Sequence, residues 1–281
     1  MSEVVVLRGD DPVKMVEEAL GKLGADKAFG QEEKILIKPN YINDRPPSTG
    51  VTTDARVIEG VVKFLSERGF RNMVIGEGSG LSDTMRAYKV AGVDEVAKKW
   101  NVELIDLNHD EYIIADVPDP LALEKVRISK TALNCAVISV PKLKLHRAAG
   151  VTLSLKNLMG VVQPKQQIHN HLHEKIADLA SLLKPRLAVI DGIVGCEGYE
   201  LAEKPVKMDL IIAGLDPVAV DTISALIMGF DPKKVRHIAL AAKKGLGICD
   251  PNNIRVIGEP VEKVRKEFKP SFSHHIISRL V

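Results

Sequence analysis

Short runs of aliphatic and β-branched residues alternate along the chain with stretches whose apolar positions recur every three or four residues. The first pattern predicts buried strands and the second amphipathic helices. Strands are predicted at residues 4–7, 35–38, 72–75, 103–107, 136–140, 187–190, 210–213 and 254–257. Helices are predicted near 12–23, 54–68, 82–90, 92–100, 171–183, 217–228 and 234–243. This alternation predicts an α/β fold of three layers, a mostly parallel sheet flanked by helices. Around Pro118 and Pro120 the pattern between 113 and 129 breaks into polar and apolar pieces, which predicts a small antiparallel excursion. Residues 271–280, SFSHHIISRL, predict a terminal helix whose apolar face packs on the core or on a second copy in a homodimer.

No Ser/Gly-rich linker, low-complexity segment or solenoid repeat divides the chain, so residues 1–281 are expected to form a single α/β domain. With 45% hydrophobic residues the chain can bury a substantial core. Its 39 basic and 37 acidic residues leave a net charge of +2, which lacks the one-sided basic footprint of a nucleic-acid binder. Aromatic residues make up 4% of the chain, too few for base-stacking platforms. The cysteines, Cys135, Cys196 and Cys249, show no C-x-x-C spacing. That argues against a disulfide scaffold and against an iron–sulfur cluster held by this chain alone, and it suits a reducing compartment. The start MSEVVVLRGDD lacks the features of a signal peptide, and no apolar stretch approaches the roughly 20 residues that span a bilayer. A cytoplasmic protein with no membrane segment is the expectation.

Candidate chemistry collects where predicted strands end, the edge at which open α/β sheets bind ligands. Residues 141–160, PKLKLHRAAGVTLSLKNLMG, carry Lys142, Lys144, His146, Lys156 and Asn157 directly after a buried strand. Two lysines beside His146 would lower its pKa and suit it to acid–base work. Lys156 lies in an apolar setting, where an amine must be paired, neutralised or reactive, unless it snorkels from an amphipathic helix. Lys38 and Asn40 flank a proline after the strand ILI, ahead of a long polar loop that ends at the helix-capping residues Thr53 and Asp54. The turn Gly76-Glu77-Gly78-Ser79-Gly80 precedes a helix and offers free amides to a phosphate or carboxylate, although a tight structural turn has the same composition.

His169, His171 and His173 form a third cluster. On a helix His169 and His173 would share a face, and in an extended segment all three would; either geometry could ligate a transition metal or move protons. Asp191 ends another strand, Asp216-Pro217 is the pattern of a helix start, and Asp221 could face the site or pair with a neighbour. Lys244-Gly245 suits a helix end.

Taken in order, IKPN, GEGSG, SVPKLKLH, VTLSLKNLMG, the histidine cluster, LAVIDGIVGCEG, DPVAVD and GLG resemble the domain of unknown function 362 family, from about Ile35 to Gly258. Some members carry an appended ferredoxin-type domain; this chain has no such cysteines, so electron transfer does not carry over, and a ferredoxin-like partner belongs to the accessory-protein alternative below. The same order of motifs is more distantly similar to the N-terminal domain of the lactate racemase family. That similarity implies a nickel-pincer nucleotide anchored on Lys156, proton transfer by His146, and metal ligation by His169 or His171. Ser79 stands where that family has a histidine, so one of two acid–base imidazoles is missing.

The leading expectation is an enzyme that binds a small anionic, nucleotide-like ligand. Lys38, Asn40, Glu77, Gly78, Ser79, Gly80, Lys142 and Asn157 would form the binding surface. His146, Lys144 and Lys156 would do the chemistry, and His169, His171 and His173 would hold a metal. A nickel-dependent racemase or epimerase is the first alternative, and a non-catalytic ligand-binding accessory to a redox protein the second.

Overall fold

The structure, a computed structural model, describes residues 1–271. The apolar runs form strands β1 (Ser2–Arg8), β2 (Ile35–Pro39), β3 (Met73–Glu77) and β4 (Glu103–Asp106). A hairpin follows, β5 (Tyr112–Asp116) and β6 (Lys125–Ser129), then β7 (Ala136–Val140), β8 (Lys142–His146) and β9 (Gly150–Val151). The last strands are β10 (Leu187–Glu197), β11 (Lys204–Gly214) and β12 (Ile254–Gly258). The helices are α1 (Pro12–Leu23), α2 (Ala55–Glu67), α3 (Thr84–Ala91), α4 (Val93–Trp100) and α5 (Lys130–Leu133). They continue with α6 (Leu153–Asn157), α7 (Leu172–Leu183), α8 (Pro217–Ile227), α9 (Arg236–Lys243) and α10 (Val261–Val264).

The main path of the central sheet runs β12-β1-β11-β10-β7-β2-β3-β4, with β8 pairing on β10. Along that path only β11 is antiparallel, to both of its neighbours. Strand alternation sorts side chains into two cores. Val4, Val6 and Leu36 face one of them, while Val5, Ile35 and Ile37 face the other. Helices cover both faces, which makes the three layers that the apolar pattern predicts. The antiparallel hairpin is present as β5 and β6. Asp11, Asp54, Asp83 and Asp216 cap α1, α2, α3 and α8, each accepting a backbone N–H from the first turn. Gly245, at φ 73, supplies the left-handed residue after α9.

Two elements depart from the sequence pattern. Strands β10 and β11 each run to 11 residues, and their distal halves pair with one another as an arm beyond the sheet, past an irregularity between Gly192 and Val194. Residues 142–146, assigned to no element from the sequence pattern, form a strand. Leu143 and Leu145 enter the core while the alternate positions face away, a period of two. The terminal helix predicted at 271–280 lies almost wholly outside the described residues. Among the described residues no helix is long and apolar enough to cross a membrane.

The chain proceeds outward from β2 through β3 to β4, then returns to place β7 on the other side of β2. The carboxyl ends of β2 and β7 therefore form a topological switch point, where adjacent connections diverge and leave a crevice. Short helix α6 fills that crevice.

Candidate functional site at the switch point

In β8 the period of two puts Lys142, Lys144 and His146 on one face. Beside them runs β10, with Asp191 and Cys196 in register with Lys142 and Lys144, then Glu200 in the turn that follows it; the exit of β2 and helix α6 complete the region. The four sequence-predicted lysines do approach this region, but they fall into two classes.

Lys38 and Lys142 are fully buried and tied to carboxylates. Lys38 Nζ donates to both oxygens of Glu77 at 2.9 Å, to the Pro39 carbonyl at 3.0 Å and to Asn157 Oδ1 at 3.2 Å. Lys142 Nζ donates to Asp191 Oδ2 at 2.8 Å. These pairs also staple the long polar loop to the sheet. The amides of Tyr41 and Asp54 donate to Glu77 and Asp191 respectively. Thr53 Oγ1 accepts from Asn40 N and donates to the Val140 carbonyl.

Asn157 closes the crevice itself. Its Nδ2 donates to the Lys38 carbonyl and to Ser139 Oγ, and its Oδ1 accepts from Lys38 and from Asn40 Nδ2. Gly160 sits directly above the Lys38–Glu77 pair, where a Cβ would collide with both charged groups. Lys38, Glu77, Asn157 and Asn40 Nδ2 are thus engaged with one another and not free to meet a ligand, whereas Asn40 Oδ1 is buried without a hydrogen-bond partner among the described residues.

The Gly76–Gly80 turn is similarly committed. Gly78 N donates to Glu77 Oε1, Ser79 N donates to Thr84 Oγ1, and Ser79 Oγ donates to the Tyr41 carbonyl. A Cβ on Gly78 would meet the Gly160 carbonyl and Asn108 Oδ1, so its glycine allows close backbone packing. The amides of Gly78 and Ser79 are therefore not available to cradle an anion; of the anion-binding group, only Gly80 lies exposed at the surface.

Lys144 and Lys156 form the second class. Lys144 is buried, and its Nζ donates to the Val51 carbonyl at 2.7 Å, with no carboxylate in ion-pair range among the described residues. Burial, and then the charge of Lys156, draw its pKa down to about 7. Lys156 is partly exposed on α6 and makes no hydrogen bond or ion pair among the described residues. Burial also lowers its pKa, to about 8, against the opposing pull of Glu200.

His146 lies beside them. The amides of Ala148 and Ala149 both donate to its Nδ1 at 3.1 Å. Nδ1 therefore carries the lone pair and the ring proton sits on Nε2, 3.9 Å from Glu200 Oε1. Burial, then the charges of Lys156 and Lys144, hold His146 well below the usual imidazole range, so the ring is neutral at pH 7. Glu200 is in turn fixed by Arg147, whose Nε and backbone N–H donate to its two oxygens at 2.6 and 2.9 Å.

The three histidines predicted as metal ligands are not brought together. Helix α7 begins only after His171, which takes a left-handed conformation (φ 49), so His169 and His173 do not share a helical face. His169 and His171 are exposed, while His173 is buried and stacked on His237 with ring centroids 5.6 Å apart. No group of three His, Cys, Asp or Glu side chains suited to a metal ion occurs among the described residues.

Glu200 and His237 carry no strand-end or glycine signal, and their relevance emerges only from tertiary contact. Asp221, noted in DPVAVD, proves to anchor α6, accepting the amides of Ser154 and Leu155 at 2.7 and 3.0 Å. Two clefts of about 530 and 470 Å³ lie elsewhere. One is lined by Leu121, Lys125, Gln167 and Lys175, the other by Ser2, Leu215, Asp216 and Arg255.

The model of the family described as Domain of unknown function (DUF362) matches residues 35–225, a span from β2 to α8 that contains Lys38, Lys142, Lys144 and Lys156. A thylakoid-associated protein of Synechocystis sp. is 25% identical over 240 residues, covering 82% of this chain and 73% of that protein. No solved structure matches the chain.

Proposed function

The chain belongs to the domain of unknown function 362 family, and we propose that the rim of the filled crevice, where α6 meets β8, binds a small anion and carries out acid–base chemistry on it. One observation carries this reading: two neighbouring lysines, Lys144 fully buried and Lys156 partly buried, have no carboxylate paired to either among the described residues. Burying such charges is costly, and proteins normally relieve the cost with a counter-ion, as this one does for Lys38 and Lys142. An anionic group of the ligand is the missing partner. Lys156 and Lys144 hold it, while Glu200 exchanges protons beside it. The neutral His146 ring, its tautomer fixed by two backbone amides, presents Nε2–H as an oriented hydrogen-bond donor. The unbonded cysteines Cys135, Cys196 and Cys249 support placing this chemistry in a reducing, cytoplasmic compartment.

Isothermal titration with inorganic phosphate and with malonate tests the reading. The wild type is expected to bind at least one of them saturably. Lys156→Met and Lys144→Met should each weaken that binding by about tenfold or more, the worth of one charge-assisted contact. Affinity should fall as pH rises through about 7 and 8, because the two ammonium groups lose their protons there. Saturable binding that survives both substitutions, or no binding of either anion, refutes the assignment.

A further inference from the structure

Lysines around the crevice are tethered, with one exception. Lys38 is held by Glu77, Lys142 by Asp191, Lys144 by the Val51 carbonyl, and Lys165 by Asn108 Oδ1 at 2.9 Å and two carbonyls at 3.3 Å. Lys156 alone in this set has an amine with no partner among the described residues.

Its backbone, by contrast, is held at both ends of α6. Before it, the Asp221 carboxylate binds two amides and keeps Leu153 in a left-handed conformation (φ 46), which a branched side chain adopts only under constraint. After it, Asn157 is fixed by four hydrogen bonds to β2, β7 and Asn40. A rigid stem with an untethered amine is poorly suited to a structural cation. Such an arrangement suits a nucleophile that must swing onto an incoming carbon.

We propose that Lys156 captures the carbonyl carbon of a small oxo acid as a protonated imine, with the acid group of the same molecule resting against Lys144. This rests on the anion-binding reading of the crevice and names its substrate class. In the step, the Lys156 nitrogen lone pair forms the C–N bond as the carbonyl π pair moves onto oxygen. The nitrogen then loses a proton and that oxygen gains one, giving a carbinolamine. The C–O bond breaks as the oxygen takes a second proton, supplied by the Lys144 ammonium, and departs as water. The product is an iminium on Lys156 and a neutral Lys144 amine, and no oxidant, reductant or further reactant is needed.

The identity of the nucleophile follows from access. Lys144 is almost wholly shielded and holds the Val51 carbonyl, whereas Lys156 is partly exposed. Ionisation agrees with this assignment. With a pKa of about 8, roughly a quarter of Lys156 amines are neutral at pH 7.5, against about one in a thousand for an ordinary lysine. Its lower basicity offsets part of that advantage, leaving about a tenfold gain in reactivity.

The test treats the full chain with glyoxylate and with pyruvate in the presence of cyanoborohydride at pH 7.5, followed by peptide mapping. The expected result is a reduced adduct on Lys156 that forms about tenfold faster than on exposed lysines such as Lys14 and Lys98. Prior addition of phosphate should slow it. In Lys156→Arg the adduct should vanish while phosphate still binds, because the cation is kept and only the nucleophile is lost. Adducts spread evenly over exposed lysines, or concentrated on Lys144, in a protein that still binds phosphate, overturn the imine and leave the anion site standing. A wild type that binds neither phosphate nor malonate removes both proposals together.

Discussion

Lys38 and Lys156 lie on the same edge of the same sheet, yet their surroundings are opposite. Lys38 has four oxygen contacts and a full carboxylate; Lys156 has none of these among the described residues. The same contrast separates Lys142, bound to Asp191, from Lys144, bound to a neutral carbonyl. The first pair of lysines contributes architecture. Their carboxylates also capture the amides of Tyr41 and Asp54, so each ion pair fastens the 40–54 loop at one end. In the second pair Lys144 holds the same loop only through the neutral Val51 carbonyl and Lys156 holds nothing among the described residues, so an electrostatic cost is left open at both. A residue type and a sheet position are therefore not enough to nominate a site; what decides is whether the protein supplies the counter-charge.

The largest effect expected from this contrast follows removal of a counter-charge. Glu77→Ala strips Lys38 of its carboxylate and orphans the amides of Tyr41 and Gly78. A loss of about 3–5 kcal/mol in urea denaturation is expected, as for other buried pairs broken on one side. Glu77→Gln, which keeps the shape and one acceptor, should lose less. A loss within the scatter of surface substitutions would mean that Lys38 is not held by charge at all, and the division into two classes would collapse.

A smaller effect of opposite sign is expected from the other class. The folded-state pKa of Lys144, about 7, lies below the unfolded value near 10.5. Folding therefore releases a proton between those limits, and stability rises as pH increases from about 7 to 10.5. Below pH 7 the protein bears the full cost of burying the ammonium. Lys144→Met should thus be more stable than wild type at pH 6, on the order of 1–3 kcal/mol once the lost Val51 hydrogen bond is allowed for, with the gain gone by pH 10. A stabilised protein that no longer binds phosphate is the signature of a residue kept for binding. Destabilisation at pH 6 would show instead that Lys144 has a compensating partner.

Much of the fold was legible because it is written in local periods. The apolar runs at 35–38, 136–140 and 210–213 are strands, the hairpin is where the alternation breaks, and Asp216-Pro217 starts α8. The alternation KLKLH is itself a strand pattern, although the sequence pattern places these residues only after the strand at 136–140. Pro141 alone separates β7 from β8, and Asp191 N donates to its carbonyl across the gap. Counter-charges could not be read in the same way. Asp191 is 49 residues from Lys142 and Glu77 is 39 residues from Lys38, so their pairing depends on which strands become neighbours. The histidine cluster misled for a related reason. Proximity in sequence suggested a shared face, whereas the left-handed turn at His171 sends His173 inward to His237, 64 residues away.

Lys165 tests whether the two classes exhaust the possibilities, and the smallest effect is expected there. Its ammonium is held by three neutral oxygens, those of Asn108, Gly160 and Val162, with no carboxylate in ion-pair range among the described residues. Burial draws its pKa down to about 8, so hydrogen bonds from neutral groups do not replace a counter-ion. Two consequences oppose each other in Lys165→Met. The variant loses those hydrogen bonds at every pH, yet below pH 8 it also escapes the cost of a buried charge. Near pH 6.5 the two should largely cancel, leaving a change within about 1 kcal/mol. From about 8 to 10.5 the wild type gains stability as Lys165 becomes neutral only in the folded state, and the variant cannot follow. The deficit of Lys165→Met should therefore widen with pH. Urea denaturation at pH 6.5 and pH 10 checks this: a deficit that narrows at the higher pH would mean that folding raises the Lys165 pKa, and would show that the Gly160 loop supplies more counter-charge than its neutral oxygens suggest.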